Sequence, residues 1–352
     1  LTGRGIAAIT GCTAPRTCRS AAMKSVCLNV ALALSFAVSM LSGAAVCHAQ
    51  EKLTGKVTVD GSSTVYPITE AVAEEFSHEH RAVRVTVGIS GTGGGFKRFA
   101  AGETDVSNAS RPIKFAEMEA AQKNSVEFIE LPVAYDGLSV VVNHDNTWAK
   151  QLTIEQLRKI FLDGGATNWN QIDPSYPDLP LKVYSPGTDS GTFDYFKEVV
   201  IEKGSFRSDA SVSEDDNVLV RGVAGDKGAI GFFGCAYYFE NRDKVSAVAI
   251  VNHDGQAIMP THDSIEDGSY NPLSRPLFIY VNRKSADRPE VGQFIEFYFD
   301  NAAELAEEVG YVKLPKLVTD RARANFAGRK VGTAYWTADG KPIHGPVTKV
   351  YQ

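Results

Sequence analysis

The sequence predicts an α/β protein. Short stretches alternate apolar and polar residues with a period of two, the signature of strands in a sheet. The first two of these run into serine- or glycine-rich turns and then into helical segments, and further apolar runs alternate with helices downstream. The chain has 352 residues, 43% hydrophobic and 22% charged. That balance fits a globular body large enough to bury a substantial core, and it excludes a disordered chain or a multi-span membrane protein.

Taken in order, residues 56–60 form the first expected strand, followed by Gly61-Ser62-Ser63-Thr64 and a helix with Ile68, Ala71, Val72 and Phe76 on its apolar face. Pro67 suits the first turn of that helix, where no backbone hydrogen bond is missed. Val83, Val85, Val87 and Ile89 alternate as a second strand, and the turn Ser90-Gly91-Thr92-Gly93-Gly94-Gly95 leads to a helix beginning near Phe96. A short strand is expected around Asp105-Val106, and LSVVVN at 138–143 reads as a buried strand. Thr153 and Gln156 are spaced as a capping box, predicting a helix through Phe161. Strands follow at 181–184, 228–233, 245–251 and 277–282, with helices at 193–200, 291–299 and 302–309. The residues after Pro315 are more polar and carry less pattern.

The N-terminal region has a different character. Four of the five cysteines (Cys12, Cys18, Cys27 and Cys47) fall in the first 49 residues, which contain four basic residues and no acidic one. Met23-Lys24 precedes the apolar run VCLNVALALSFAVSMLSGAAV at 26–46, and Cys47-His48-Ala49 then places small residues at −3 and −1. Basic start, apolar run and small-residue exit are the order of a secretory signal, expected to be cleaved after Ala49. The residues before Met23 read as lying upstream of the natural start, and an uncleaved anchor or a lipidated Cys47 are the alternatives. Removal of the first 49 residues leaves 303, with 32 basic against 42 acidic residues, a net charge of −10 and the single cysteine Cys235. Such a chain needs no internal disulfide, and its charge argues against nucleic acid as a partner.

Three segments share one chemistry. Ser62-Ser63-Thr64 and Ser190-Gly191-Thr192 place hydroxyls directly before a helix, and residues 91–95 place bare backbone there. A helix N-terminus has free N–H groups and the positive end of the dipole, so it can hold an anion. Serine or threonine at such a place is by itself an ordinary N-cap, but three of them in one exported chain point to a tetrahedral oxyanion. Ser110-Arg111 adds a guanidinium whose fork matches a phosphate edge, although an arginine there also serves as a surface ion-pair partner.

The stretches VDGSSTVYPITEAVAEEF, GISGTGGGFKRF, DVSNASRPI, YSPGTDSGTFDYF and GVAGDKGAIGFFG, in that order between about residues 56 and 315, resemble the periplasmic phosphate-binding proteins of ABC transporters. The resemblance implies a type II two-lobed α/β fold, with mixed sheets flanked by helices and a two-strand hinge. One lobe would comprise residues 50–137 and 272–352, the other 138–271, with crossings at Asp136-Gly137 and Tyr270-Asn271. It further implies a monomeric periplasmic receptor, without cofactor or catalysis, that captures inorganic phosphate and hands it to membrane permease subunits. Carried onto this sequence, phosphate donors would be Ser63, Thr64 and Val65, then Thr92 and Gly93, then Ser110, and from the other lobe Ser190, Gly191 and Thr192. Two positions depart from the family pattern. Arg111 stands where an aspartate accepts the phosphate's proton, and Pro186 stands four residues before Ser190 where an arginine is usual. Arg111 is therefore expected to supply the positive charge and Asp189 the acceptor, which leaves discrimination against sulfate open.

Other readings fit less well. Neither Ser63 nor Ser190 lies in G-x-S-x-G, so an exported phosphohydrolase lacks a nucleophile motif. The glycine cluster lacks the third glycine of a dinucleotide site and the Gly-Lys-Ser/Thr of a P-loop. His78-Glu79-His80 offers two histidines that do not share a helical face, and reads as a solvated helix end rather than a metal site. Cys235 reads as a buried thiol, and Trp148, Trp169 and the aromatic group around Phe232 as packing residues. Sulfate, molybdate or arsenate remain alternative ligands.

Overall fold

The computed structural model describes residues 52–188, 190–337 and 339–352. The predicted leader and Asp189 therefore lie outside the described residues. The chain from β1 (Gly55–Gly61) continues through α1 (Tyr66–Glu79), β2 (Val83–Ile89), α2 (Gly91–Ala100), β3 (Val106–Ala109) and α3 (Phe115–Lys123) to the long strand β4 (Phe128–Val142). After β4 come β5 (Gln151–Leu152), α4 (Ile154–Phe161), β6 (Lys182–Ser185) and α5 (Gly191–Phe196), which runs on into a π-helical turn over Lys197–Ile201. Then follow β7 (Ser211–Val212), α6 (Asp216–Gly225), β8 (Ala229–Gly234), α7 (Cys235–Glu240), β9 (Ser246–Ala247), β10 (Ala249–Val251), β11 (Ala257–Ile258) and α8 (His262–Glu266). The chain returns through β12 (Ser274–Asn282), α9 (Pro289–Glu308), β13 (Val312–Lys313), α10 (Lys316–Ala327) and α11 (Val347–Val350).

The strands make one mixed sheet of ten, ordered β2-β1-β3-β12-β4-β8-β6-β7, with β9 and β13 also on β4; β11-β10-β5 form a second, small sheet. Strand β4 joins two regions. Up to Gly137 it pairs antiparallel with β12, and from Leu138 onward with β8. All fifteen of its residues are buried, which is why it reads as a continuous apolar run instead of an alternation. Gly137 sits at the change of partner, where a Cβ would come within 3.0 Å of the Cys235 sulfur. The thiol is buried as expected, held 3.1 Å from the Ser139 hydroxyl, and burial pushes its pKa up to about 12.

Several local expectations hold and several change. The Thr153–Gln156 capping box starts α4 as predicted. The glycines at 91–95 form the first turns of α2 instead of a turn before it. Gly95 is needed for space, since a Cβ there would lie 2.5 Å from the Gly61 Cα, whereas Gly91 takes a φ of +73°. On α1 the inward position goes to Thr69 rather than Ala71, because its hydroxyl donates to Asn108 Oδ1 at 3.0 Å and lies 3.1 Å from the Tyr298 hydroxyl. Strand β2 is an edge strand, so its apolar series ends on an exposed Ile89. The segments at 291–299 and 302–309 are one twenty-residue helix, α9. The segment at 245–251 is split into β9 and β10.

The polar tail after Pro315 also has a structural role. Buried Glu130 on β4 accepts from Tyr280 on β12 at 2.8 Å, from the Thr333 hydroxyl and from the Ala334 N–H at 2.9 Å. The Tyr351 hydroxyl donates to the Glu130 carbonyl at 2.7 Å. Burial raises the Glu130 pKa, against the three hydrogen bonds that lower it. None of the helices among the described residues is long and apolar enough to cross a membrane.

Candidate functional site

The carboxyl ends of β1 and β3, which lie side by side and parallel, deliver the first group of polar residues. In open α/β sheets this is where ligand crevices form, because the loops leaving the strands run into helix N-termini. Ser62 donates its N–H to the Asn108 carbonyl at 3.0 Å, fixing the turn Ser62-Ser63-Thr64 across the sheet. Val65 is the residue preceding α1 and its side chain is fully buried, so it can offer a ligand only its backbone N–H. At the start of α2, Thr92 Oγ1 lies 3.1 Å from the Ser110 hydroxyl and accepts the Ser110 N–H at 3.2 Å. Three sequence-distant segments thus meet on one wall of a cavity, while Ser190, Gly191 and Thr192, expected as a further group of donors, do not border it.

The cavity, of about 300 Å³, is bounded by Ser62, Ser63, Thr64, Gly91, Thr92, Gly93, Ser110 and Arg111 on one side. Opposite them stand Asp194, Tyr195, Glu198 and Arg275. The helix end at Ser190 approaches from that second side: a Cβ on Gly191 would lie 3.1 Å from the Thr64 Cα. Ser190 accepts the N–H groups of Thr192 and Phe193, so its oxygen caps α5. The cavity wall on this side is made one turn further along, by α5 and the π-helical turn after it. That turn contributes Glu198 beside Asp194 and Tyr195, and π-type turns recur at functional sites.

The two arginines differ in their commitments. Arg111, expected to be the positive charge of the site, does border the cavity but is already held at both terminal guanidinium nitrogens by Glu117, at 2.7 and 2.9 Å. Its face also lies 5.5 Å from the Phe96 ring centre. Arg275, which sequence reasoning missed, reaches into the cavity from the beginning of β12. Its Nε donates to Asp136 Oδ2 at 3.3 Å, its Nη2 to Thr64 Oγ1 at 3.0 Å and its Nη1 to Glu198 Oε2 at 3.3 Å. The guanidinium stacks 3.6 Å above the Tyr195 ring, and the Tyr195 hydroxyl donates to the Pro272 carbonyl at 2.7 Å. Asp136 is buried; burial pushes its pKa up while Arg275 pulls it down. The only sequence signal for Arg275 was a charge at the start of an otherwise apolar strand, LFIYVN.

A cavity of hydroxyls, helix N-termini and guanidinium groups can bind an oxyanion by charge-assisted hydrogen bonds, and its carboxylates can accept a proton the anion carries. Residues 48–302 match the model of a PBP superfamily domain. The protein named SphX from Synechococcus elongatus is 52% identical over 282 residues, 79% of this chain and 83% of its own length. The phosphate-binding protein PstS of Staphylococcus saprophyticus is 41% identical over 263 residues, 74% of this chain and 81% of its own.

The chain belongs to the periplasmic phosphate-binding protein family.

A crystal structure of a possible phosphate binding protein from Planctomyces limnophilus matches with a TM-score of 0.77 at 44% identity, over 79% of this chain and 99% of that one. The fold is therefore the two-lobed α/β architecture of these binding proteins, as the sequence motifs predicted. For a phosphate-binding family member, the notable local feature is the cation at the start of β12, paired beside Asp136 of β4, the strand that joins the two regions of the sheet. The histidine pair read as a helix end does sit at one: His78 lies 3.5 Å from Glu75 and His80 packs on Phe76.

Proposed function

We propose that this protein captures inorganic phosphate in the cavity between Thr64, Thr92, Ser110 and Arg275 and delivers it to the membrane permease of an ABC transporter. The observation that carries this reading is the convergence of two helix N-termini, the Thr92–Ser110 hydroxyl pair and the Arg275 guanidinium on one small cavity. The exported, mature chain would run from residue 50. Its lobes would be 50–137 with 272–352, and 138–271, hinged where β4 changes partner and where β12 begins.

Donors would come from the backbone at Thr64 and Val65, from the hydroxyls of Ser63, Thr92 and Ser110, from Gly93, and from Ser190, Gly191 and Thr192 as the lobes close. Closure brings both sets onto one desolvated anion, so capture and specificity become one event. A net charge of −10 repels a dianion at long range, so short-range donors must do the work.

Phosphate is favoured over sulfate by the acids in the wall. Asp194 and Glu198 border the cavity, and Asp194 Oδ2 accepts from the Ser63 hydroxyl at 3.4 Å. The Asp194 carboxylate can accept the hydrogen of HPO₄²⁻ or H₂PO₄⁻, whereas sulfate offers none and would face uncompensated repulsion. Asp194 would share the acceptor role with Asp189, which lies outside the described residues.

Calorimetric titration of residues 50–352 with phosphate, sulfate, molybdate and arsenate tests the proposal. Saturable phosphate binding with much weaker sulfate binding is expected. Tighter sulfate binding overturns the ligand assignment, and turnover of a chromogenic phosphate ester overturns the assignment as a receptor.

A further inference from the structure

Arg275 has two acidic partners of unequal kind. Asp136 meets Nε, and its side chain is 2% exposed on β4, fixed in the strand that links the two sheet regions. Glu198 meets Nη1, and its side chain is 70% exposed on the π-helical turn. Both contacts are 3.3 Å, longer than a well-formed charge-assisted hydrogen bond. Thr64 Oγ1 takes Nη2 and Tyr195 covers one face, so the Nη1 edge is the part of the guanidinium that an anion in the cavity would use. Glu198 stands on that edge.

We propose that Glu198 is a built-in competitor for the Arg275 guanidinium, an internal carboxylate that bound phosphate must displace and that sets affinity and selectivity. The inference rests on the phosphate-receptor reading and adds a specificity-determining residue to it. The displacement is inexpensive because Glu198 is solvated and loosely paired, whereas Asp136 has no route to water and stays on Nε. The other charges around the cavity do not substitute for Glu198. Arg111 is tied to Glu117, and Asp194 faces Ser63 instead of an arginine. An oxyanion with no proton has nothing to offer Asp194 and depends more heavily on the vacated guanidinium edge, so the competitor disfavours sulfate more than protonated phosphate.

The test is Glu198→Gln, a substitution at an exposed position, titrated calorimetrically with phosphate and with sulfate beside the wild type. Phosphate should bind about two- to fivefold more tightly, and sulfate should gain by a larger factor, so that the phosphate-to-sulfate ratio narrows. Weaker phosphate binding in the variant would overturn the proposal, because Glu198 would then be an acceptor for phosphate. The same holds for unchanged affinity. Should sulfate or arsenate prove to be the ligand instead, the phosphate reading fails, but the sign of the Glu198→Gln effect on that anion still decides this one. A second readout needs no ligand: the Arg275 Nη1–H resonance in arginine-labelled protein, assigned through its loss in Arg275→Lys. It should shift on Glu198→Gln, and an unshifted resonance refutes the pairing.

Discussion

A guanidinium stacked on an aromatic ring, and held by a carboxylate that water cannot reach, keeps its charge and its direction. Arg275 is in that position, and its Nη2 contact with Thr64 ties β12 to the turn before α1. Arg275→Lys keeps the charge but loses the planar fork, so phosphate affinity should fall at least tenfold by calorimetry. An equal affinity would remove Arg275 from the site. Arg111→Ala should cost less than Arg275→Lys, since Glu117 already takes both terminal guanidinium nitrogens. The reverse ranking would return the main charge to Arg111. The turn at 62–64 and the glycines at 91–95 were legible in the sequence because each lies at a helix start, and helix N-termini advertise themselves locally. Arg275, Asp194 and Glu198 were not legible, because what qualifies them is the wall they share with residues up to about two hundred positions away.

Among the elements, α2 shows how close packing and donor placement depend on one another. Gly95 lies against Gly61, which itself has a φ of +141° and no room beside the Asn108 carbonyl. Gly95→Ala would push α2 off β1 and move Thr92 away from Ser110. A loss of about 1–3 kcal/mol in urea denaturation is expected, together with weaker phosphate binding. At α4 the two effects separate. Thr153 accepts the Gln156 N–H at 3.1 Å and sits away from the cavity. Thr153→Ala should therefore cost about 1 kcal/mol of stability and leave phosphate affinity unchanged. The Thr153–Gln156 spacing was readable from sequence because a capping box is a four-residue motif. Fusion of the two segments at 291–299 and 302–309 into α9 was not, because its buried face is decided by α1 and the sheet it packs on.

For the whole molecule, closure and pH are the measurable consequences. The lobes should approach on phosphate addition, read as a smaller radius of gyration by X-ray scattering; an unchanged radius would argue against a closing hinge. Stability should also carry the imprint of Asp216 at the start of α6. Burial, reinforced by Asp215 and Glu214, raises its pKa from 3.8 to about 6. A carboxyl with a raised folded pKa binds its proton more tightly in the native state. Its contribution is therefore most favourable below 3.8 and is lost as pH rises toward 6. Asp216→Asn should remove that decline, raising stability at pH 7 by roughly 2 kcal/mol while changing little at the acid end. Parallel pH profiles for variant and wild type in thermal unfolding would show the group to be unperturbed.

The amino-acid sequence by itself determined the α/β alternation, the hydroxyl- and glycine-lined helix starts, the α4 cap and the burial of the thiol. Each of these follows from spacings of a few residues, within which backbone geometry dictates which side chains are neighbours. Only the tertiary structure decided which cation serves the cavity, which acids face it and where the tail after Pro315 goes. Those depend on β4 pairing with β12 before Gly137 and with β8 after it. The resulting register sets Arg275 beside Asp136 and carries the β12 cation to the turn that begins α1.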